Sequence, residues 1–185
     1  MTDHAPPSLL EELPGDLMMW VLIISELLIF GAGLVVFLSL RISDPIGFAE
    51  AQSHLARTSA AVNTVILITS GYLAAKALHL RLNARRTAAR LALVVAAALG
   101  AVFIAIKSAE FADKAAQGIS YDTHPFFMLY FLLTGFHAAH VVAGVLVLLL
   151  VAWRDTPEDV EMGAAFWHMV DLVWVLLFPV IYLLA

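Results

Sequence analysis

Five apolar runs, each about the length needed to cross a bilayer, constrain this chain more than any other feature. They lie at Leu17–Leu40, Ala60–Leu80, Leu91–Glu110, Phe126–Trp153 and Gly163–Leu184. A spanning helix needs about 20 predominantly apolar residues. Only helices and closed barrels satisfy every backbone polar group in lipid, so runs of this length are helices. The 185 residues are 62% hydrophobic and 14% charged, against about 25% charged in a soluble domain. The expected fold class is therefore an all-α integral membrane bundle of five transmembrane helices. Residues 1–16 form a polar tail holding Asp3, Glu11, Glu12 and Asp16, without the basic region of a secretory signal. Residues 17–185 form one membrane domain.

Composition excludes several functions. There is no cysteine, so a disulfide framework and a thiolate metal site are both ruled out. The net charge of −5 comes without a basic run that would suit nucleic acid. Segments between the runs are too short for a soluble catalytic domain. Arg81, Arg85, Arg86 and Arg90 cluster in the second connection, and Arg154 lies in the fourth. Positive charge in short loops marks the cytoplasmic side. The N-terminus is thus expected inside and the C-terminus outside.

Ionisable residues at membrane depth are rare and raise a functional hypothesis wherever they occur. His168 and Asp171 lie three apart in the last run, between Trp167 and Trp174. They should share one helix face, as a buried pair. His137 and His140 have the same spacing in the fourth run. Their simplest role is interhelical hydrogen bonding, with Gly135, Ala138, Ala139 and Gly144 letting a neighbouring helix approach. The histidines offer little support for a complete metal ligand set, and no metal site is assigned. Glu26 sits in mid-span, so it must be protonated or paired. It lies about 14 Å from the start of its helix, close to the depth of His140 and Asp171. This predicts one shared polar layer with Glu26–His140 as its pair.

Other positions carry less chemistry. Asn63, Thr64, Ser70 and Gly71 in the second run suit helix packing. Lys107 and Glu110 are expected at the interface, at the end of the third run. Trp20, Trp153, Tyr121 and Tyr182 suit the aromatic belts. Lys76, His79 and the arginine cluster suit lipid phosphates. Trp167 and Trp174 are expected to pack between helices.

Taken together these motifs resemble subunit III of the haem-copper oxidase superfamily. Ser25, Glu26 and Phe30 match its Ser-Glu-x-x-x-Phe pattern. Asn63, Thr64, Leu67, Ser70 and Gly71 match a second pattern. The segment Thr134-Gly135-Phe136-His137-x-x-His140-Val141-x-x-Gly144 matches a third. Trp167, His168, Val170, Asp171, Val173 and Trp174 match the signature of the last helix, with Glu161 and Arg154 at family positions before it. Seven-helix members carry two further helices ahead of these five. The ending, with Pro179 after Phe178, is similar to the five-helix (NorE-type) proteins associated with nitric oxide reductase.

The resemblance implies a non-catalytic accessory subunit in a bacterial inner membrane, with no redox cofactor of its own. Haem and metal would reside in a catalytic partner subunit. That partner would belong to a nitric oxide reductase or, alternatively, to a proton-pumping cytochrome c or quinol terminal oxidase. It further implies a V-shaped cleft holding phospholipid, with His79, Arg81, Arg85 and Arg154 as headgroup candidates. Glu26, His137, His140, His168 and Asp171 would be structural or proton-linked, and Thr134, Gly135 and Gly144 packing residues. Glu110 is a further family-matched acid. Readings from other classes are an independent proton channel or transporter using the same titratable groups, and a small membrane metalloenzyme.

Overall fold

The computed structural model describes residues 17–184; the tail at 1–16 lies outside the described residues. The described chain holds six α-helices: α1 (Leu17–Ser43), α2 (Pro45–Ser53), α3 (Arg57–Leu82), α4 (Arg86–Ala116), α5 (Pro125–Arg154) and α6 (Pro157–Phe178). A π-helical turn, Pro179–Leu183, continues α6. Five of the helices are long and apolar enough to cross a membrane, as expected from the five runs.

The chain breaks where residues with capping chemistry occur. Asp44 accepts a bond from the Gly47 amide at 3.0 Å, and Pro45 takes the first turn, where its missing N–H costs nothing. Asp44-Pro45 therefore starts a short helix, α2, within the connection between the first two runs. Thr156 caps α6 the same way through the Asp159 amide at 3.1 Å, followed by Pro157. Asp155 closes α5 in a left-handed conformation, φ 59°. Arg81 holds it there, donating to its carbonyl at 2.8 Å and approaching its carboxylate at 3.0 Å, with Arg90 at 3.3 Å.

Helices α3, α4, α5 and α6 form the tight part of the bundle. On α3 the buried residues run Ala60, Asn63, Leu67, Ser70, Gly71, Ala74, Ala77, and on α4 Ala89, Ala92, Ala96, Ala97, Gly100 and Phe103. These spacings of three and four draw one stripe of small side chains along each helix, which lets the backbones come close. Trp167 of α6 fills the space that remains. A Cβ placed on Gly100 would stand 2.6 Å from its ring, and one on Gly144 of α5 only 2.5 Å from it. Its indole N–H donates to Ser70 Oγ at 3.0 Å, and Ser70 donates to the Ala96 carbonyl at 2.8 Å. Trp174 donates to Thr64 Oγ1 at 3.0 Å. Both tryptophans thus sit between helices.

Helix α1 lies to one side, packed chiefly on α5 and α6. Of its residues only Phe30 and Phe37 are buried. An apolar groove of about 280 Å³ opens between α1 and α5, lined by Ile29, Phe30, Gly33, Leu132, Leu133 and Phe136. It is the nearest feature to the cleft that the resemblance implied.

Gly135 does not serve the close approach expected of it: nothing lies within 4 Å of a Cβ placed there. Gly135→Ala is therefore expected to change stability by less than about 0.5 kcal/mol. Gly144→Val, driven into Trp167, is expected to cost about 1–3 kcal/mol. Unfolding midpoints of both variants in the same detergent check this.

Candidate functional site

The most connected polar site lies where α4, α5 and the π turn meet. Lys107 is 1% exposed, Glu110 6%, and Tyr130 and Tyr182 are fully buried. Lys107 Nζ donates to Tyr182 Oη at 2.5 Å, to Tyr130 Oη at 3.1 Å and to Glu110 Oε2 at 3.2 Å. Both tyrosine hydroxyls then donate to Glu110 Oε1, at 2.8 and 2.9 Å. All three ammonium protons and both carboxylate oxygens are used. Phe111 and Trp174 close over the ammonium, their ring centroids 5.0 and 5.6 Å away. The cluster is neutral overall, which is what makes a lysine tolerable away from water.

These residues correct the sequence reading. Lys107 and Glu110 were expected at the interface, yet α4 continues six residues past Glu110 to Ala116, so both lie inside the helix. Tyr182 was expected in an aromatic belt, and the π turn instead brings it into the core. Trp153 and Tyr121 do face outward. The available signal was a lysine and an acid three apart on one helix face, with a tyrosine in each of two other runs.

A second polar contact joins α1 to α5. Glu26 Oε2 stands 3.2 Å from His140 Nε2, both side chains mostly covered. The approach lacks the geometry of a directed hydrogen bond. His140 Nδ1 lies 2.9 Å from the Phe136 carbonyl, and a carbonyl only accepts, so Nδ1 carries a proton. Glu26 and His140 thus form a close ionisable pair between α1 and α5.

The remaining titratable groups do not join one layer. His137 is fully buried, and neither ring nitrogen has a hydrogen-bond partner. It stacks on Trp174 at 5.2 Å and meets Phe103 edge-on at 5.6 Å. The interhelical hydrogen bond expected of it is replaced by aromatic packing. Asp171 and His168 do share a face, turned to α3, but His168 is exposed and only Asp171 is buried, so the expected buried pair does not form. No hydrogen bond joins them among the described residues, and Asp171 Oδ1 is unpaired. The reason is Gly71: the Asp171 carboxylate occupies the place where a side chain on that residue would be, beside His168 Nδ1. The predicted shared layer of Glu26, His140 and Asp171 thus reduces to the Glu26–His140 pair.

Elsewhere the placements are simple. Asn63 donates to the Phe103 carbonyl at 3.4 Å, and Thr134 to the Tyr130 carbonyl at 2.5 Å. Among the lipid-headgroup candidates, Arg81 is committed to Asp155. His79 lies 3.2 Å from the Asn83 amide. Arg85 and Arg154 are exposed, as is Glu161. Among the described residues, no three of His, Asp or Glu converge as a metal ligand set.

A bundle of five spanning helices, with buried acids and imidazoles on its inner faces, defines a multi-pass membrane protein. The profile of the family described as cytochrome c oxidase subunit III matches residues 15–185, and the chain belongs to that family. It is 30% identical to cytochrome c oxidase subunit 3 of Synechocystis sp., covering 88% of this chain and 72% of that protein. It is equally 30% identical to the subunit 3 of Corynebacterium diphtheriae, covering 88% and 84%. With a probable quinol oxidase subunit 3 of Staphylococcus saprophyticus it shares 23%, covering 89% and 86%. These relatives favour the oxidase reading, held as the alternative on sequence, over association with nitric oxide reductase.

Breaking the buried ion pair from one side leaves an uncompensated charge. Lys107→Met is therefore expected to cost about 3–5 kcal/mol, and Lys107→Met with Glu110→Gln to recover part of that loss; a double-mutant cycle on detergent unfolding measures it. Asp171→Asn is expected to be neutral or mildly stabilising, because the unpaired Oδ1 is a desolvation cost that the neutral amide reduces. Its unfolding midpoint, compared with that of the parent chain, checks this.

Proposed function

We propose that this chain is subunit III of a bacterial haem-copper terminal oxidase, of cytochrome c or quinol type. It is an accessory subunit of the inner membrane, with its N-terminus on the cytoplasmic side. The observation that carries the reading is the family match from residue 15 to 185, which takes in all five spanning helices. The geometry supports a supporting role rather than chemistry of its own. Lys107, Glu110, Tyr130 and Tyr182 satisfy one another completely, so they hold the bundle together. The largely uncovered apolar surface of α1 is free for lipid or for a catalytic subunit carrying haem and metal. The Glu26–His140 pair, lying between α1 and the rest, fixes how that helix seats.

The test is affinity purification of the tagged full-length chain in mild detergent. Expected is haem absorbance at a fixed ratio to the chain, with peptides of an oxidase catalytic subunit in the same fraction. Recovery of nitric oxide reductase peptides would move the assignment to that complex. A folded chain without haem would overturn the accessory role. Glu26→Ala is expected to lower the yield of the complex and leave the haem spectrum of what remains unchanged.

A further inference from the structure

The hairpin of α3 and α4 carries an unbalanced charge. Between Glu50 and Glu110 the sequence has no acidic residue, yet it holds Lys76, Arg81, Arg85, Arg86 and Arg90 at one end of the hairpin. Asp155, from the next connection, pairs with both Arg81 and Arg90 and offsets one of their two charges. Lys76, Arg85 and Arg86 are exposed and have no ion-pair partner among the described residues. The Lys76 ammonium only leans over the Tyr72 ring, 5.9 Å from its centroid.

Two of these free cations stand at a groove. It has a volume of about 350 Å³ and lies along the seam of α3 and α4, lined by Leu73, Leu80, Leu91 and Val95 with Lys76 and Arg85. The Arg85–Val95 stretch of α4 runs about 15 Å along the axis, from the helix start down to hydrocarbon depth. The groove is charged at the membrane boundary and apolar below it. That profile matches an amphiphile with an anionic head and an aliphatic tail, and it suits neither a free anion nor a uniformly polar partner. The groove is separate from the one between α1 and α5.

We propose that the α3–α4 groove is a binding site for one anionic phospholipid, whose phosphate sits between Lys76 and Arg85. Its acyl chain lies on Leu73, Leu91 and Val95. This rests on the chain being embedded in a membrane and not on which oxidase it joins.

The site is tested on the full-length chain with whatever complex co-purifies, delipidated in detergent and then titrated. The probes are phosphatidylglycerol, phosphatidylcholine with the same chains, and inorganic phosphate. Expected is a rise in unfolding midpoint with phosphatidylglycerol alone. Lys76→Gln with Arg85→Gln should weaken that lipid at least about tenfold, each cation near an anionic headgroup being worth roughly a fivefold factor. Val95→Trp, which fills the tail lane and leaves both charges, should weaken it as well. Lys76→Arg with Arg85→Lys should retain it. The proposal is overturned if the double glutamine variant binds as the parent does, if phosphatidylcholine or phosphate acts equally, or if cross-linkers at 76 and 85 capture a protein subunit in the intact complex. Haem content, measured on the same samples, reports separately on the accessory role.

Discussion

A lysine ammonium held away from water is the constraint around which the rest of this bundle is arranged. Lys107 can stay charged in the core only if every proton meets an acceptor and a counter-charge stands beside it. Glu110 supplies the charge from the same helix, three residues on. The two tyrosines must come from elsewhere, and they do: Tyr130 from α5 and Tyr182 from beyond α6. The requirement of one side chain thereby fixes the rotation of α5 and the position of the chain's last turn. Gln52 of α2 adds a bond to the Ile181 carbonyl at 2.8 Å, and Arg41 of α1 donates to the Leu184 carbonyl. The first and last spanning segments are so joined at the same end of the molecule.

Below that layer, order comes from shape rather than charge. Where α3, α4 and α5 present small residues, α6 presents tryptophan, and each indole N–H finds a hydroxyl on α3. Lipid tails are as apolar as leucine, so helices in a membrane associate through close packing and hydrogen bonds rather than through burial. The Trp167 seat between Gly100 and Gly144 provides both. Helix α1 lacks such a seat and meets the others through Phe30, Phe37 and the Glu26–His140 pair. It is the element whose attachment is most open to influence by lipid or by a partner subunit.

Much of the helical layout was legible along the chain, and the reasons can be named. Apolar length identified five spans, and depth counted along α1 and α5 pointed to Glu26 opposite His140. The small and hydroxylated residues Asn63, Thr64, Ser70 and Gly71 were legible as packing positions because lipid has no other use for them. The miss at Lys107 and Glu110 arose because charged residues near the end of an apolar run look interfacial until the helix is known to continue. The misses at His137 and His168 share another cause. Spacing places a ring on a face, but the residue opposite decides its partner, and here those residues are Trp174 and Gly71.

By itself the sequence determined the class of molecule, the number of spans, their boundaries to within about two turns, and most of the faces that avoid lipid. All of these follow from periodicity and from the cost of polar groups in hydrocarbon, which act locally along the chain. Only the tertiary structure decided which polar groups meet. Bringing Tyr182 to Lys107 joins residues 75 apart. Whether Asp171 bonds His168 depends on a missing side chain on another helix. Hydrogen bonds and ring contacts are short-ranged and directional, so their pairing is set by how the helices rotate and close on one another, and that is a property of the packed bundle as a whole.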